Sequence, residues 1–453
     1  MKLETRVAVL GGGVTGLCAA HYLSKAFGPD NVRLLEASDY IGGTTRTENI
    51  EGFLCDWGPN GFLNREPLTL DWIDDLELSP ELVTANEAAA HRFILKNDRL
   101  MEVVGPPKFL VSPLLSAKGR ARLLCEPLIK SKSNDDVETI WNFAARRIGR
   151  EAADIMVSAM VLGVYGGDAK QLSLAHCFPR MAAMEKEHGT LFKALLAKRR
   201  QTSTASPMGP SGVLTTFQQG IGRLPEFVAQ RMRAQILAEA SVSSISRANG
   251  IFRIRTDRDD TVEAESVVVA MPAYAAARAV EDLAPAASKA LAEISYADIA
   301  VVCTGYRREH VGHSLDGFGF LVPPNQGKQV LGCLWTSSIF PHQALEGTVL
   351  LRTMVGGYAN PKPVQWSDAE LIALIEREIH PLLSIGAKPD FVRIFRHIRG
   401  IPQYLLKHGE HLAAVEAAER ECPGLVFAGN AFRGVGLNDC VVSAHRAVKL
   451  LAK

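Results

Sequence analysis

A glycine-rich turn near the start of the chain constrains its fold more than any other feature. The apolar run VAVL at residues 7–10 suits a buried parallel strand, and GGGVTG follows it at once at residues 11–16. Helical spacing then continues from Leu17, and a second apolar run, Val32–Leu35, ends at Glu36. This order of strand, glycine turn, helix, strand and acid predicts a Rossmann-like site for a dinucleotide.

Each position of this motif has a physical task. Gly11 forms the tight turn, Gly13 lets the backbone approach a pyrophosphate, and Gly16 lets the helix pack closely on the strand. The helix N-terminus favours the anion, and Glu36 can accept hydrogen bonds from ribose hydroxyls. The motif alone does not separate NAD from FAD.

Two later segments favour FAD. Gly42 and Gly43, followed by Arg46, would let a second stretch of backbone pack against the cofactor. Large FAD proteins of the glutathione-reductase-like and amine-oxidase-like kinds need this second backbone contact with the cofactor, whereas NAD domains do not. Near the C-terminus, an apolar run at 425–428, a glycine loop and a helical run repeat the strand–loop–helix pattern. A loop that merely closes a Rossmann-like sheet would show the same pattern of strand, loop and helix.

Composition limits the classes of protein to which the chain can belong. The chain has 453 residues, 47% of them apolar, and a net charge of +1, which predicts two or three globular domains and argues against nucleic acid as a partner. Eight cysteines without CxxC pairs or zinc spacing predict reduced thiols, no metal site and a cytoplasmic location. We expect neither a signal peptide nor a membrane-spanning helix.

Residues 89–214 differ from the segments on either side in their helical spacing and in their uneven charge. Helical spacing predicts a helix that starts at residues 133–136, and another at residues 181–200. Residues 108–132 carry six basic side chains and one acid, a net charge of +5, beside the apolar run FLVSPLL at 109–115. This pattern predicts contact with an anionic membrane surface. The alternative is a solvated helix face.

Five segments together resemble the protoporphyrinogen oxidase family. They occur in order along nearly the whole chain: GPNGF at 58–62, GVYGGD at 163–168, DGFGFLVP at 316–323, IPQY at 401–404 and GNAFRGVGLNDC at 429–440. The resemblance implies an FAD-dependent oxidase of haem biosynthesis, acting on CH–CH donors. Protoporphyrinogen IX would be converted to protoporphyrin IX in three hydride transfers to non-covalent FAD, with oxygen as acceptor and hydrogen peroxide as product.

The implied fold is α/β, or α+β overall, in three parts. These are an FAD-binding domain from residues 1–61, 215–275 and 402–453, a mixed-sheet substrate domain from 62–88 and 276–401, and a membrane-associating helical insert from 89–214. The resemblance also implies a cytoplasmic enzyme held peripherally at the cytoplasmic membrane. It suggests a second copy of the chain and ferrochelatase as further partners.

The resemblance assigns site residues by position. The implied FAD-binding residues lie in the glycine turns and just after them: Gly11, Gly12, Gly13, Val14, Thr15, Gly16, Glu36, Ala37, Gly43, Thr44, Gly58, Pro59, Asn60, Gly61, Val242, Gly429, Asn430, Val435, Gly436 and Leu437. Arg92 would face a substrate propionate, and Phe318, Leu321, Leu334 and Met354 would form the pocket wall. The backbone at Gly163 would belong to a loop over the flavin. No side-chain acid or base is identified, because the flavin carries the difficult chemistry.

Three alternatives stay open at this point. The chain can be a coproporphyrinogen III oxidase of the same family, whose substrate has four propionates. It can be a related flavoprotein such as an amine oxidase or carotenoid desaturase, although GVYGGD and GFGFLVP argue against that. It can also be a catalytically silent FAD-binding scaffold.

Overall fold

A first sheet holds both ends of the chain. A computed structural model describes residues 2–105, 108–131, 137–194 and 212–452. Within them, the strands of this sheet are, in spatial order, Ile236–Leu237, Val32–Leu35, Lys2–Leu10, Thr261–Val269, Ile251–Thr256 and Val242–Ala248, with Leu425–Phe427 beside the last part of Thr261–Val269. The central strands are parallel, and Val242–Ala248 and Ile251–Thr256 form an antiparallel hairpin.

Helices cover this sheet on both faces because neighbouring residues of a strand point to opposite sides. Val7 and Val9 pack against one group of helices: Val14–Phe27, Pro67–Asp75, Arg223–Arg231 and Leu437–Leu451. Ala8 and Leu10 pack against the other group: Ala273–Ala279, Pro285–Ala292 and His408–Glu421. The Rossmann-like α/β layering predicted from residues 7–36 is confirmed.

A second sheet is mixed, as predicted. Its strands are, in order, Phe391–Pro402, Tyr296–Arg307, Thr348–Gly356, Val330–Leu334, Gly319–Leu321, Arg92–Lys96 and Arg99–Glu102. Only Gly319–Leu321 and Arg92–Lys96 pair in parallel among these described strands. One face is buried by helices Asp368–Glu378 and His380–Leu383.

Short elements join the two sheets. Two smaller sheets are formed by Thr47–Ile50 with Phe53–Asp56, and by Phe62–Leu63, Leu214–Phe217 and Leu82–Thr84. A four-residue helix, Thr336–Ile339, follows strand Val330–Leu334. The other face of the second sheet packs against Phe53, in strand Phe53–Asp56, against Trp57 just after it, and against Leu162 of helix Ser158–Tyr165.

The first part of the region predicted as a helical insert consists of strands. Strands Arg92–Lys96 and Arg99–Glu102 extend the second sheet, because Arg92 pairs in register with Gly319, and the region becomes helical after Glu102. Its described helices are Ala117–Leu124, Ile140–Ile148, Arg150–Ala152, the π-turn Ala153–Val157, Ser158–Tyr165, Leu174–Cys177 and Pro179–His188. The domain boundaries themselves stay predictions.

Two helices predicted from the sequence fall in this region, each partly outside the described residues. The helix start expected at residues 133–136 lies outside the described residues, and the observed helix begins at Ile140. Thr139 caps it, because the Thr139 hydroxyl accepts a hydrogen bond from the backbone N–H of Asn142. In the stretch predicted to be helical, residues 181–200, helix Pro179–His188 ends at Gly189, which has the left-handed conformation. Residues 191–194 are helical again, and residues 195–200 lie outside the described residues.

A buried ion pair holds the helical region together. The side chains of Glu126 and Arg147 are both fully buried and form a salt bridge. Glu126 also accepts hydrogen bonds from the backbone N–H groups of Leu191 and Phe192, at 2.8 and 3.2 Å. Across the described part of the chain, no helix has the length and apolar character needed to cross a membrane.

Candidate active site

The glycine turn at residues 11–16 has the geometry that its motif predicts. Gly11 has a φ of +107°, and a Cβ there would lie 2.7 Å from the carbonyl oxygen of Ala270. A Cβ on Gly16 would lie only 1.9 Å from the carbonyl oxygen of Gly11. A Cβ on Gly13 would meet no atom within 4 Å. Gly11 and Gly16 are therefore required by the fold, whereas Gly13 faces open space.

The start of helix Val14–Phe27 and the Glu36 carboxylate face the same turn. Among the described residues, no side chain caps this helix, so its first backbone N–H groups are available to an anion. The backbone N–H of Gly12 donates to Glu36 Oε2 at 2.7 Å, and the Ser38 hydroxyl donates to Oε1 at 2.8 Å. A carboxylate has further lone pairs with which to accept from a ligand hydroxyl.

Residues 42–44 connect the first turn to the GPNGF segment. The backbone N–H of Gly42 donates to the carbonyl oxygen of Gly12 at 2.8 Å. Gly43 has a φ of +60°, which favours glycine. A Cβ on Gly58 would lie 2.5 Å from the carbonyl oxygen of Thr44. The two glycine segments that the sequence singled out therefore lie side by side.

Two arginines fix the position of the GPNGF segment. The Arg46 guanidinium lies 4.4 Å from the centre of the Tyr40 ring and 4.2 Å from that of Trp57, in cation–π contact with both. Arg352, on the second sheet, donates from Nη2 to the carbonyl oxygens of Trp57, at 3.3 Å, and Gly58. Arg352 thus ties the second sheet to this segment.

The C-terminal glycine loop closes the same site. Gly429 has a φ of +125°, and a Cβ there would meet no atom within 4 Å. Gly436 immediately precedes helix Leu437–Leu451, which confirms that a helix follows the loop. The Asn438 side chain donates from Nδ2 to the carbonyl oxygen of Leu63 at 2.8 Å, which joins this helix to the chain just after the GPNGF segment.

One row across the second sheet carries the predicted substrate arginine. The residues of this row share a face because they are paired in register: Arg92, Gly319, Leu334, Arg352, Cys303 and Arg393. Arg393 forms an ion pair with Glu48 at 2.8 Å, and Arg352 binds backbone carbonyls. Arg92 packs 5.1 Å from the centre of the Phe318 ring and has no carboxylate partner among the described residues.

The environment of Arg92 is suited to an anion. Its side chain keeps an exposed surface, yet the surrounding protein removes enough water to lower the pKa of the guanidinium. A carboxylate bound there would restore the lost electrostatic stabilisation, and the planar guanidinium can hold both carboxylate oxygens.

The predicted wall residues divide into two groups. Phe318, Leu334 and Met354 pack in one apolar cluster with Phe340. Leu321 lies on the same sheet face but packs in another cluster, which includes Ile155 from the helical region. The structure therefore brings three of the four together and places the fourth at the boundary with the helices.

Gly163 is helical, which corrects the loop expected there. It lies within helix Ser158–Tyr165, and the chain turns only at Gly166, in the left-handed conformation with a φ of +55°. The last helical turn persists because the Tyr165 side chain is buried and its hydroxyl donates to the carbonyl oxygen of Cys177 at 3.0 Å. A Cβ on Gly163 would lie 2.7 Å from Leu321 Cδ2, so glycine permits close packing there.

Sequence reasoning missed two buried groups behind the site. Tyr404, in the IPQY segment, is fully buried and bonds the C-terminal glycine loop. Asp56 is buried as well, and burial raises the pKa of its carboxyl group. It accepts hydrogen bonds from Thr47 at 2.6 Å and Gln343 at 3.0 Å. The IPQY segment could have indicated Tyr404 from the sequence, whereas no motif around Asp56 indicates a role for it.

The layered fold and the glycine turns at its carboxyl edge define an FAD-dependent oxidoreductase. The family model described as flavin containing amine oxidoreductase matches residues 14–452. The chain belongs to this family, and FAD is its cofactor. The described residues fit the cofactor, since Gly13 and Gly429 face open space beside an uncapped helix start.

Two curated relatives are similar along almost the whole chain. A coproporphyrinogen III oxidase of Bacillus subtilis is 29% identical over 98% of this chain and 97% of the relative. Protoporphyrinogen oxidase 1, chloroplastic, of Arabidopsis thaliana is also 29% identical, over 98% of this chain and 87% of the relative. The resemblance to porphyrinogen oxidases predicted from five sequence segments is thereby confirmed.

Solved structures share the fold. A provisionally assigned protoporphyrinogen oxidase from Exiguobacterium sp. 255-15 is 26% identical, with a TM-score of 0.85 over 99% of this chain and 98% of that one. Cyclohexylamine oxidase from Brevibacterium oxydans is 17% identical, with a TM-score of 0.71 over 99% of this chain and 98% of that one, and shows the fold alone.

Proposed function

We propose that the chain oxidises a porphyrinogen to the corresponding porphyrin, with protoporphyrinogen IX as the preferred substrate. The observation that carries this is on the second sheet, where Arg92, which has no carboxylate partner among the described residues, lies 5.1 Å from the ring centre of Phe318. Phe318 packs in one apolar cluster with Leu334 and Met354. A flat apolar ring with propionates needs such a wall and such a cation. The names of the relatives support the same substrate class.

We propose that the glycine segments hold FAD. The turn at 11–16 and Glu36 would bind its pyrophosphate and ribose, and the hairpin at Val242 would contact the adenine. Support for the last contact is that the backbone N–H of Ala240 donates to the carbonyl oxygen of Glu36 at 2.8 Å. The segments 58–61 and 429–437 would line the flavin ring. Bound FAD supplies the two-electron acceptor for each oxidation, and oxygen would take the electrons on, forming hydrogen peroxide.

Coproporphyrinogen III is the second candidate substrate. The Bacillus subtilis relative favours it, being as similar as the Arabidopsis enzyme. Against it, the described arginines in the Arg92 row other than Arg92 already have partners. Incubating the holoenzyme in air with each porphyrinogen, and following porphyrin fluorescence and peroxide, separates the two. Faster turnover of coproporphyrinogen III would reverse our assignment, and no turnover of either would remove porphyrinogen oxidation.

Arg92→Met is expected to weaken substrate binding while leaving FAD in place. Loss of one charge-assisted bidentate contact costs about 1.5–3 kcal/mol, which corresponds to an increase in KM of about ten- to a hundredfold. The expected signature is a large change in KM, a smaller one in kcat, and an unchanged ratio of flavin to protein.

Arg99→Met is the matched control for this variant. Arg99 is exposed on the neighbouring strand, and its removal also deletes one positive charge. We expect its KM to stay at the unaltered value. Equal KM values for Arg92→Met and the unaltered enzyme would remove Arg92 from the substrate site.

We propose further that the helical region rests on an anionic membrane surface. Val111 and Leu128 are exposed by 82% and 81%, and Lys108 and Lys130 are exposed near them in sequence. Arg120 and Arg122 keep their positive charge, but their guanidinium groups donate to backbone carbonyls within the protein. Lys132 lies outside the described residues.

Val111→Asp combined with Leu128→Asp should reduce co-sedimentation with vesicles rich in anionic lipid by about tenfold or more. Two large apolar side chains would no longer insert, and two negative charges would be repelled by the surface. Ile398→Asp, an exposed apolar residue on the second sheet, is the control and should sediment as the unaltered protein does. Equal binding by all three proteins would contradict the membrane proposal.

A further inference from the structure

A tyrosine and a histidine lie behind the C-terminal glycine loop and bond its backbone at three points. The Tyr404 hydroxyl donates to the carbonyl oxygen of Asn430 and accepts from the backbone N–H of Gly434 at 2.9 Å. His408 Nε2 lies 2.8 Å from the carbonyl oxygen of Phe432. Because a carbonyl oxygen only accepts, Nε2 must carry the proton. Both ends and the middle of residues 430–434 are therefore held.

The two side chains support each other. The rings of Tyr404 and His408 are stacked, with centres 4.1 Å apart and planes inclined by 17°. Both side chains are buried, with exposures of 0% and 1%. Burial lowers the pKa of His408 to about 4, so the ring is neutral at neutral pH and acts as a donor through Nε2 alone.

The segment that carries Tyr404 is anchored to the helical region. The backbone N–H of Ser173 donates to the carbonyl oxygen of Tyr404 at 2.8 Å. The side chain of Gln403 donates to the carbonyl oxygen of Tyr165 at 2.8 Å. The IPQY segment therefore joins the end of helix Ser158–Tyr165 to the glycine loop.

We propose that Tyr404 and His408 are positioning residues that set the place of residues 434–437 against the flavin ring. The proposal rests on the flavin contact proposed above for Val435, Gly436 and Leu437. Val435 packs in the apolar cluster that contains Tyr404 and Tyr165. A shift of Gly434 would therefore pass along Val435 and Gly436 to Leu437, the first residue of helix Leu437–Leu451.

Tyr404→Phe tests this proposal in the holoprotein. It keeps the buried ring and removes the hydroxyl that both Asn430 and Gly434 use. We expect amide hydrogen exchange of peptides covering residues 430–436 to accelerate by about tenfold, the cost of one such bond. We also expect a shift of the visible absorption bands and of the reduction potential of bound FAD beyond replicate error.

Tyr306→Phe is the matched control. It too deletes a buried tyrosine hydroxyl with a hydrogen-bond partner, His380 Nε2 at 3.1 Å, but it lies in the separate core cluster of the second sheet. We expect it to leave loop exchange and the flavin potential unchanged. A Tyr404→Phe protein whose flavin spectrum and potential match the unaltered protein overturns the proposal, whatever its stability.

A second pair of variants decides the matter if Tyr404→Phe yields no folded holoprotein. His408→Gln keeps an amide N–H that can donate to the carbonyl of Phe432, and His408→Leu does not. The leucine variant should shift the flavin potential, and the glutamine variant should restore it at least in part. Equal potentials in both would contradict the proposal. Neither readout needs a porphyrinogen, so failure of the proposed substrate would be recognised separately.

Discussion

Gly13→Ala is expected to give a stable, folded protein that binds FAD about ten- to a hundredfold more weakly. The new Cβ would meet no protein atom within 4 Å, and the backbone at φ −73° and ψ 177° accepts alanine without strain. It would instead occupy the space through which the pyrophosphate approaches the backbone. Overpacking by one methyl group costs about 1–3 kcal/mol, which gives the expected loss of affinity.

The neighbouring glycine should behave differently. A Cβ on Gly16 would lie 1.9 Å from a backbone oxygen, so Gly16→Ala should lower the free energy of unfolding by about 3 kcal/mol or more. Gly386→Ala is the neutral control, since its Cβ would meet no atom within 4 Å. Denaturant unfolding and FAD titration of the three variants separate loss of fold from loss of cofactor. Unaltered FAD affinity in Gly13→Ala would show that this turn does not hold the pyrophosphate.

These two glycines show what local sequence can and cannot reveal. Both fit the GxGxxG motif, and the strand and helix around them were predicted because apolar periodicity and glycine punctuation are local signals. Strand Val32–Leu35 was predicted with its observed bounds for the same reason. The different tasks of Gly13 and Gly16 also follow from the motif, and the structure supplies the distances.

Predictions failed where contacts distant in sequence decide the structure. Helix Ser158–Tyr165 continues through Gly163 because Tyr165 bonds the carbonyl oxygen of Cys177. Arg92 belongs to a strand because it pairs with Gly319, more than two hundred residues later in the chain. The bonds of Tyr404 to the loop at 430–434 likewise join separate segments. The spacing of residues within either contacting segment could not indicate these contacts.

Removing one member of the buried ion pair should produce the largest loss of stability. In Glu126→Ala, Arg147 would remain fully buried and keep only its second ion pair, with Glu185 at 3.3 Å. The backbone N–H groups of Leu191 and Phe192 would lose their acceptor. Loss of one charged hydrogen-bond partner costs about 1.5–3 kcal/mol, and each backbone N–H left without its acceptor adds about 1 kcal/mol, together about 3–5 kcal/mol. The free energy of unfolding, from chemical denaturation followed by circular dichroism, should fall by that amount.

Arg147→Met should cost a similar amount, because Glu126 would then be the unpaired buried charge. The double variant Glu126→Leu with Arg147→Met should be less destabilised than the sum of the two single variants, since two apolar side chains of similar size leave no buried charge in this pair. Asp98→Asn is the control, because its ion pair with Lys328 lies at the surface with Asp98 exposed by 75%, and such pairs contribute about 1 kcal/mol or less. Additive losses in the double variant would mean that Glu126 and Arg147 contribute independently. A loss smaller than the sum would show that the pairing of Glu126 with Arg147 stabilises the helical region. That region includes Gly163, which packs closely against Leu321.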